Sequence, residues 1–142
     1  LHNCVEELRV IDGCCNEEGL TELDLTRFSQ LKRLDIGDHC FSYVDELKLI
    51  GMNELESVVI GENSFTQHKN SWGNDPNRHF YLKNCPKLKS LKMGRYSFSD
   101  YTVCEIENVD ALEVIEMGDL DYWSCNFYYA SLELKSILIH SE

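Results

Sequence analysis

The sequence predicts an all-β, β-rich fold: a parallel β-solenoid of about six coils of ~24 residues each, with little α-helix. Three observations carry this. A phrase recurs, clearest as Leu88-Lys89-Ser90-Leu91-Lys92-Met93-Gly94, and again from Leu31, Leu55 and Leu112, each time closing on glycine. A second, shorter alternating run follows in each period: Leu23-Asp24-Leu25, Leu47-Lys48-Leu49, Phe80-Tyr81-Leu82 and Cys104-Glu105-Ile106. The segments between the runs are short and rich in Ser, Asn, Asp and aromatic residues, which signals turns rather than helices.

Weaker copies of the phrase open and close the chain, at Val5 to Val10 and Leu134 to Ile139, giving successive spacings of 26, 24, 33, 24 and 22 residues. Alternation with period two means a strand with one buried face. Strands this short cannot bury that face alone, so equivalent strands must stack, at roughly 4.8 Å each, into a continuous sheet. Four of the eight glycines, Gly37, Gly61, Gly94 and Gly118, end the first run at one offset. That column calls for a positive φ or a close backbone approach. An aromatic column follows, with Phe41, Phe65, Phe98 and, at the same offset, Tyr122.

The second position of the phrase reads Glu6, Lys32, Glu56, Lys89, Glu113 and Lys135. The sign alternates coil by coil, which predicts a ladder of opposite neighbours worth a few tenths of a kcal/mol per pair (about 0.3). That face is close to neutral, so the binding surface is expected elsewhere. The third period is long by nine residues, and the excess falls within 66–79. An insertion in a solenoid leaves the stack as a loop. His68, Trp72, Asp75, Arg78 and His79 gather there, and Trp, His and Arg are residue types of binding hot spots. They form the predicted protein-binding site. Tyr122 and Trp123, followed by Phe127, Tyr128 and Tyr129, are a second contact patch or a cap on the last coil.

The segment Leu55-Glu56-Ser57-Val58-Val59-Ile60-Gly61-Glu62-Asn63-Ser64-Phe65 matches the pattern L-x-x-L-x-L-x-x-N-x-L, with Phe in the last slot. It resembles the leucine-rich repeat family, in the divergent branch similar to BspA-like repeats. The resemblance covers nearly the whole chain, read as one domain over residues 1–142. It implies a right-handed solenoid that serves as a protein-binding scaffold. The Asn slot holds Asn only at Asn63; elsewhere it reads Gly13, His39, Tyr96 and Leu120, so no buried Asn ladder is expected.

Composition bounds the partner. The formal net charge is -12, from 25 acidic and 13 basic residues. That sign excludes nucleic acid and anionic membrane surfaces as partners, and it suits a basic protein. No stretch reaches the roughly 18 apolar residues of a membrane span, and the first residues are not a signal peptide. The seven cysteines are odd in number, and Cys14, Cys40 and Cys104 fall in core columns. They read as structural thiols, hence an intracellular, cytoplasmic setting. His2, Cys4, Cys14 and Cys15 supply soft ligands, but their spacing fits no zinc pattern, so no metal or other cofactor is predicted. No nucleophile elbow, phosphate loop or H-E-x-x-H occurs, so no enzyme is predicted. Neither end carries a polar cap, and the chain is expected to continue beyond both ends or to self-associate end to end. The alternative function is a structural piece of a larger assembly.

Overall fold

The computed structural model describes residues 4–67, 78–118, 124–127 and 130–135, the side chains of 131–134 excepted. Ten strands follow in chain order: β1 Glu7–Val10, β2 Glu22–Asp24, β3 Arg33–Ile36, β4 Glu46–Ile50 and β5 Ser57–Ile60. The second half holds β6 His79–Lys83, β7 Ser90–Met93, β8 Val103–Glu107, β9 Val114–Met117 and β10 Ser131–Lys135. Every pairing is parallel, and the chain crosses between two sheets at each step. Odd strands form one sheet, ordered β1-β3-β5-β7-β9; even strands form the other, ordered β10-β8-β6-β4-β2. One phrase and its following short run make one repeat, and the described residues make five, with no helix among them. Among the described residues there is thus no helix long and apolar enough to cross a membrane.

The alternation decides which side chains turn inward. Leu8, Leu34, Val58, Leu91 and Ile115 stand in register across the first sheet, as do Val10, Ile36, Ile60, Met93 and Met117. Leu47, Phe80 and Cys104 do so across the second. Together they build one continuous core, in which the middle repeats are fully buried. Core burial fades at both ends. Leu91 is 0% exposed, whereas Ile115 in the same column is 39% exposed.

The turns repeat as regularly as the strands. His39, Asn63, Tyr96 and Cys125 share a column of positive φ with Gly13. Two residues on, Cys15, Phe41, Phe65, Phe98 and Phe127 form a second such column. Four of those rings stack, with centroids 5.1 Å (Phe41–Phe65), 4.7 Å (Phe65–Phe98) and 5.0 Å (Phe98–Phe127) apart. Asn84 and Asn108 join Gly51 in a third column, after the second sheet's strands.

Between the first two columns runs a polar one. Ser64 Oγ donates to Gly37 O at 2.7 Å and accepts from Cys40 N at 3.1 Å. Ser97 Oγ does the same with Gly61 O and Ser64 N. Cys40 Sγ takes the hydroxyl's place one repeat earlier, donating to Ile11 O at 3.1 Å. Asn126 closes the row, donating to Gly94 O at 2.8 Å.

Of the two reasons offered for the glycine column, close approach holds at Gly37, Gly61 and Gly94, and Gly118 alone combines it with a positive φ. A Cβ on Gly61 would lie 2.6 Å from the Gly37 carbonyl carbon, and one on Gly94 2.6 Å from Glu62 N.

Two alignments require correction. The last copy of the phrase, placed at Leu134 to Ile139, does not start a sixth phrase. Ser131–Lys135 pairs with β8 in the second sheet, so Lys135 lies opposite Glu107 rather than Glu113. An alternating Leu-x-Leu run fits either sheet, and spacing alone does not choose between them. Likewise the ring that continues the Phe stack is Phe127, not Tyr122, because five residues, 119–123, separate Gly118 from Ser124 where other repeats have none.

The predicted charge ladder is partly built. Lys32 pairs with Glu6 at 3.3 Å at the second position of the phrase. Elsewhere on that face the pairs are Arg33–Glu7, Arg9–Asp35 and Lys92–Glu116.

Candidate functional site

The long third repeat leaves the sheets without disturbing them. Register runs unbroken across it, with Leu47 opposite Phe80 and Val58 opposite Leu91. The excess chain therefore departs after Gln67 and returns at Arg78. Of the predicted binding residues, His68, Trp72, Asp75, Tyr122 and Trp123 lie outside the described residues. Arg78 and His79 are described, and they part company. They are adjacent on extended chain, so their side chains point to opposite faces.

Arg78 turns inward and is 1% exposed. Its burial corrects the expectation of a surface contact. A guanidinium buried without partners would be prohibitively costly, and here every edge of the fork is engaged. Nε donates to Asp45 Oδ1 at 3.0 Å, Nη1 to Asp100 Oδ2 at 2.5 Å, and Nη2 to the carbonyls of Ser42 at 2.8 Å and Val44 at 3.2 Å. Its cationic carbon sits 5.3 Å from the Tyr101 ring centroid, and the Tyr101 hydroxyl donates to Val44 O. Burial drives the Tyr101 hydroxyl well above its ordinary pKa, against the pull of Arg78. Asp100 Oδ2 also accepts the Gln67 amide at 3.1 Å. One buried carboxylate thus holds both stems of the insertion, the chain that leaves at Gln67 and the chain that returns at Arg78.

His79 turns outward on the second sheet and shares a hydrogen bond with Tyr81, Nδ1 to Oη, at 2.7 Å. Lys83 lies over the Tyr81 ring at 5.2 Å and pairs with Glu105 at 2.9 Å. Burial, then Glu105 and Glu46, push the Tyr81 hydroxyl upward. This face is a mesh of ion pairs, with Lys48 held by Glu22 and Glu46 as well.

A cleft of about 340 Å³ opens beside the insertion's first stem, lined by Asn16, His39, Ser42, Tyr43, Asn63, Thr66 and Gln67. The turn columns make it. His39 and Asn63 come from the first positive-φ column, while Asn16, Ser42 and Thr66 follow the second by one residue. Asn16 Oδ1 accepts from Ser42 N at 2.9 Å and Ser42 Oγ at 2.6 Å, and its Nδ2 donates to His39 O at 2.8 Å. Thr66 Oγ1 and Ser99 Oγ share a bond at 2.8 Å. Among the described residues no carboxylate lines this cleft, in a chain of net charge -12. The Arg78 network supports its floor through Ser42 O.

A larger hollow, about 620 Å³, lies at the β9 end, lined by Glu62, Gly94, Arg95, Ile115, Glu116, Met117 and Gly118. Glu62, Arg95 and Glu116 bring opposite charges to its wall, with Arg95 Nε 3.9 Å from Glu62 Oε1. Among the described residues no group of His, Cys, Asp and Glu is placed to hold a metal ion.

Asp45, Asp100 and Tyr101 were not singled out from the sequence. One signal did exist. Asp45, Arg78 and Thr102 each precede a second-sheet strand, so aligned repeats place opposite charges side by side. The three turn columns and two parallel sheets define a β-rich protein of stacked parallel-strand repeats. Comparison with protein-family models, curated proteins and solved structures finds no match to the chain.

Proposed function

We propose that the chain is a leucine-rich-repeat-type right-handed solenoid acting as a non-catalytic protein-interaction scaffold. Its partner docks on the flank where the third repeat's insertion leaves the sheets. The observation that carries this reading is the double tether at Asp100. A fold that spends a buried Arg–carboxylate network on both stems of an insertion presents that insertion from a fixed base. The polar cleft beside it, whose described lining residues carry no carboxylate, adds contact surface. A basic partner protein suits the remaining surface, and a reducing, intracellular compartment suits seven unpaired cysteines.

The test is affinity capture with the native chain, comparing wild type with Trp72→Ala and with Tyr43→Ala on the cleft wall. Loss of the same partner from both variants, with folding intact, supports the flank. Equal recovery from wild type and both variants sinks it. A second reading, a structural piece of a larger assembly, rests on the exposed Ile115 at the β9 end. It predicts instead that Ile115→Lys, and neither flank variant, abolishes capture.

A further inference from the structure

The polar turn column contains two thiols in adjacent repeats. Cys14 and Cys40 occupy the places that Ser64 and Ser97 fill in the later repeats. Gly13 N donates to Asp38 O at 2.8 Å and Phe41 N to Cys14 O at 3.3 Å, so the two turns are in register. Neighbouring strands run about 4.8 Å apart, which sets the Cα atoms of such a pair within the roughly 4.4–6.8 Å that a disulfide spans.

Direction favours the Cys40 half of the pair, and the bond needs Cys14 to turn about χ1 toward it. Side chains in this column point back toward the preceding repeat, as Ser64 does toward Gly37 and Ser97 toward Gly61. Cys40 obeys the rule: its sulfur reaches Ile11 O, and the amides of Cys14 and Gly13 face it. The Cys40 sulfur therefore already lies between the two turns, beside the Cys14 backbone. Cys14 has no described repeat before it to bond. It is half-exposed, while Cys40 is buried. That partial exposure gives a small disulfide a path to its sulfur.

We propose that Cys14 and Cys40 form a reversible disulfide that staples the first repeat to the second, made by exchange with a small disulfide of the glutathione type. The Cys14 thiolate attacks one sulfur of the oxidised glutathione, and one glutathione thiolate leaves. Cys40, its proton given to solvent, attacks the Cys14 sulfur, and the mixed disulfide breaks to release the second thiolate. Two electrons pass from the cysteines to the glutathione pair, and the two protons end on the released thiols. Entry is at Cys14, because burial holds the Cys40 thiol in its protonated form. Cys15 is the competing thiol, but it sits in the Phe column and packs against the core.

The experiment uses the full chain, equilibrated in graded ratios of reduced to oxidised glutathione, quenched by alkylation and mapped by mass spectrometry. Wild type and Cys15→Ser give a Cys14–Cys40 link; Cys14→Ser and Cys40→Ser give none. Serine already serves at this column, so both variants fold, and reduced-state thermal unfolding verifies it. In the oxidised wild type, amide exchange in Glu7–Val10 slows by about tenfold or more relative to the reduced protein, and oxidant changes nothing there in Cys14→Ser. The proposal is overturned by no link at the most oxidising ratio, by a Cys15–Cys40 link, or by a link that joins two chains.

Discussion

Asp100 shows how much one side chain carries here. Its Oδ2 meets both Gln67 and Arg78, and it is 5% exposed. Asp100→Ala leaves the Arg78 guanidinium buried with half its counter-charge gone, an expected loss of about 3–5 kcal/mol by urea denaturation. Ser64→Ala is the milder neutral case. It strands Gly37 O and Cys40 N, and is expected to cost about 1–3 kcal/mol. Ser64→Cys copies what the chain does at Cys40 and should cost less. Near-equal losses for the two variants would refute the column's role. Burial also makes a thiol a sensor of alkaline pH. The Cys104 thiol is pushed from 9.0 up to about 12, by burial first and by Glu105 second. The folded state then holds its proton more tightly than the unfolded chain, which ionises first. Stability is therefore full below the unfolded value and falls as pH rises from about 9 toward 12. Denaturant titrations across that range, with Cys104→Val as control, should show the slope in the wild type and a weaker one in the variant.

Elements here are columns as much as strands. Gly61 lets two turns touch, so Gly61→Ala drives a Cβ into the Gly37 backbone, with an expected loss of about 1–3 kcal/mol. Gly19, which faces open space, tolerates the same change. A thermal melt of the pair is the check, and equal melting points would refute close approach. Phe98 lies between the Phe65 and Phe127 rings with no exposure, so Phe98→Ala should cost about 3–5 kcal/mol. The recurrences that placed strands, glycines and the first three rings were legible in the residues, because period-two alternation and fixed offsets are local signals. Phe127 was not, since five extra residues shift it out of the offset that Tyr122 happens to satisfy. Arg78 misled for another reason. A basic residue in a polar insertion reads as surface, and only spatial stacking shows that Asp45 stands beside it.

For the whole molecule, strand pairing joins adjacent repeats, with a few contacts such as Tyr101 to Val44 O reaching one repeat further, so stability accumulates mainly by interfaces. Among the described residues the outer strands have one neighbour each, and Ile115 and Leu8 are only partly covered. Native-state hydrogen exchange is expected to be fastest in β1 and β9 and slowest in β5, and uniform protection would contradict nearest-neighbour stability. Surface ion pairs such as Arg9–Asp35 and Lys92–Glu116 add little to this balance, because both partners in each are largely solvated.

The positive-φ columns have a consequence for how such a chain comes to be folded. Phe41, Phe65, Phe98 and Phe127 each adopt a backbone that a bulky L-residue avoids, at a local cost of about 1–3 kcal/mol. None of these turns is chosen by its own residues; each is imposed by the ring and the hydrogen bonds of the turn beside it. A repeat cut out as a peptide would lose its template and relax to another conformation. Shape is inherited from one turn to the next, as a crystal face hands its order to the layer that settles on it.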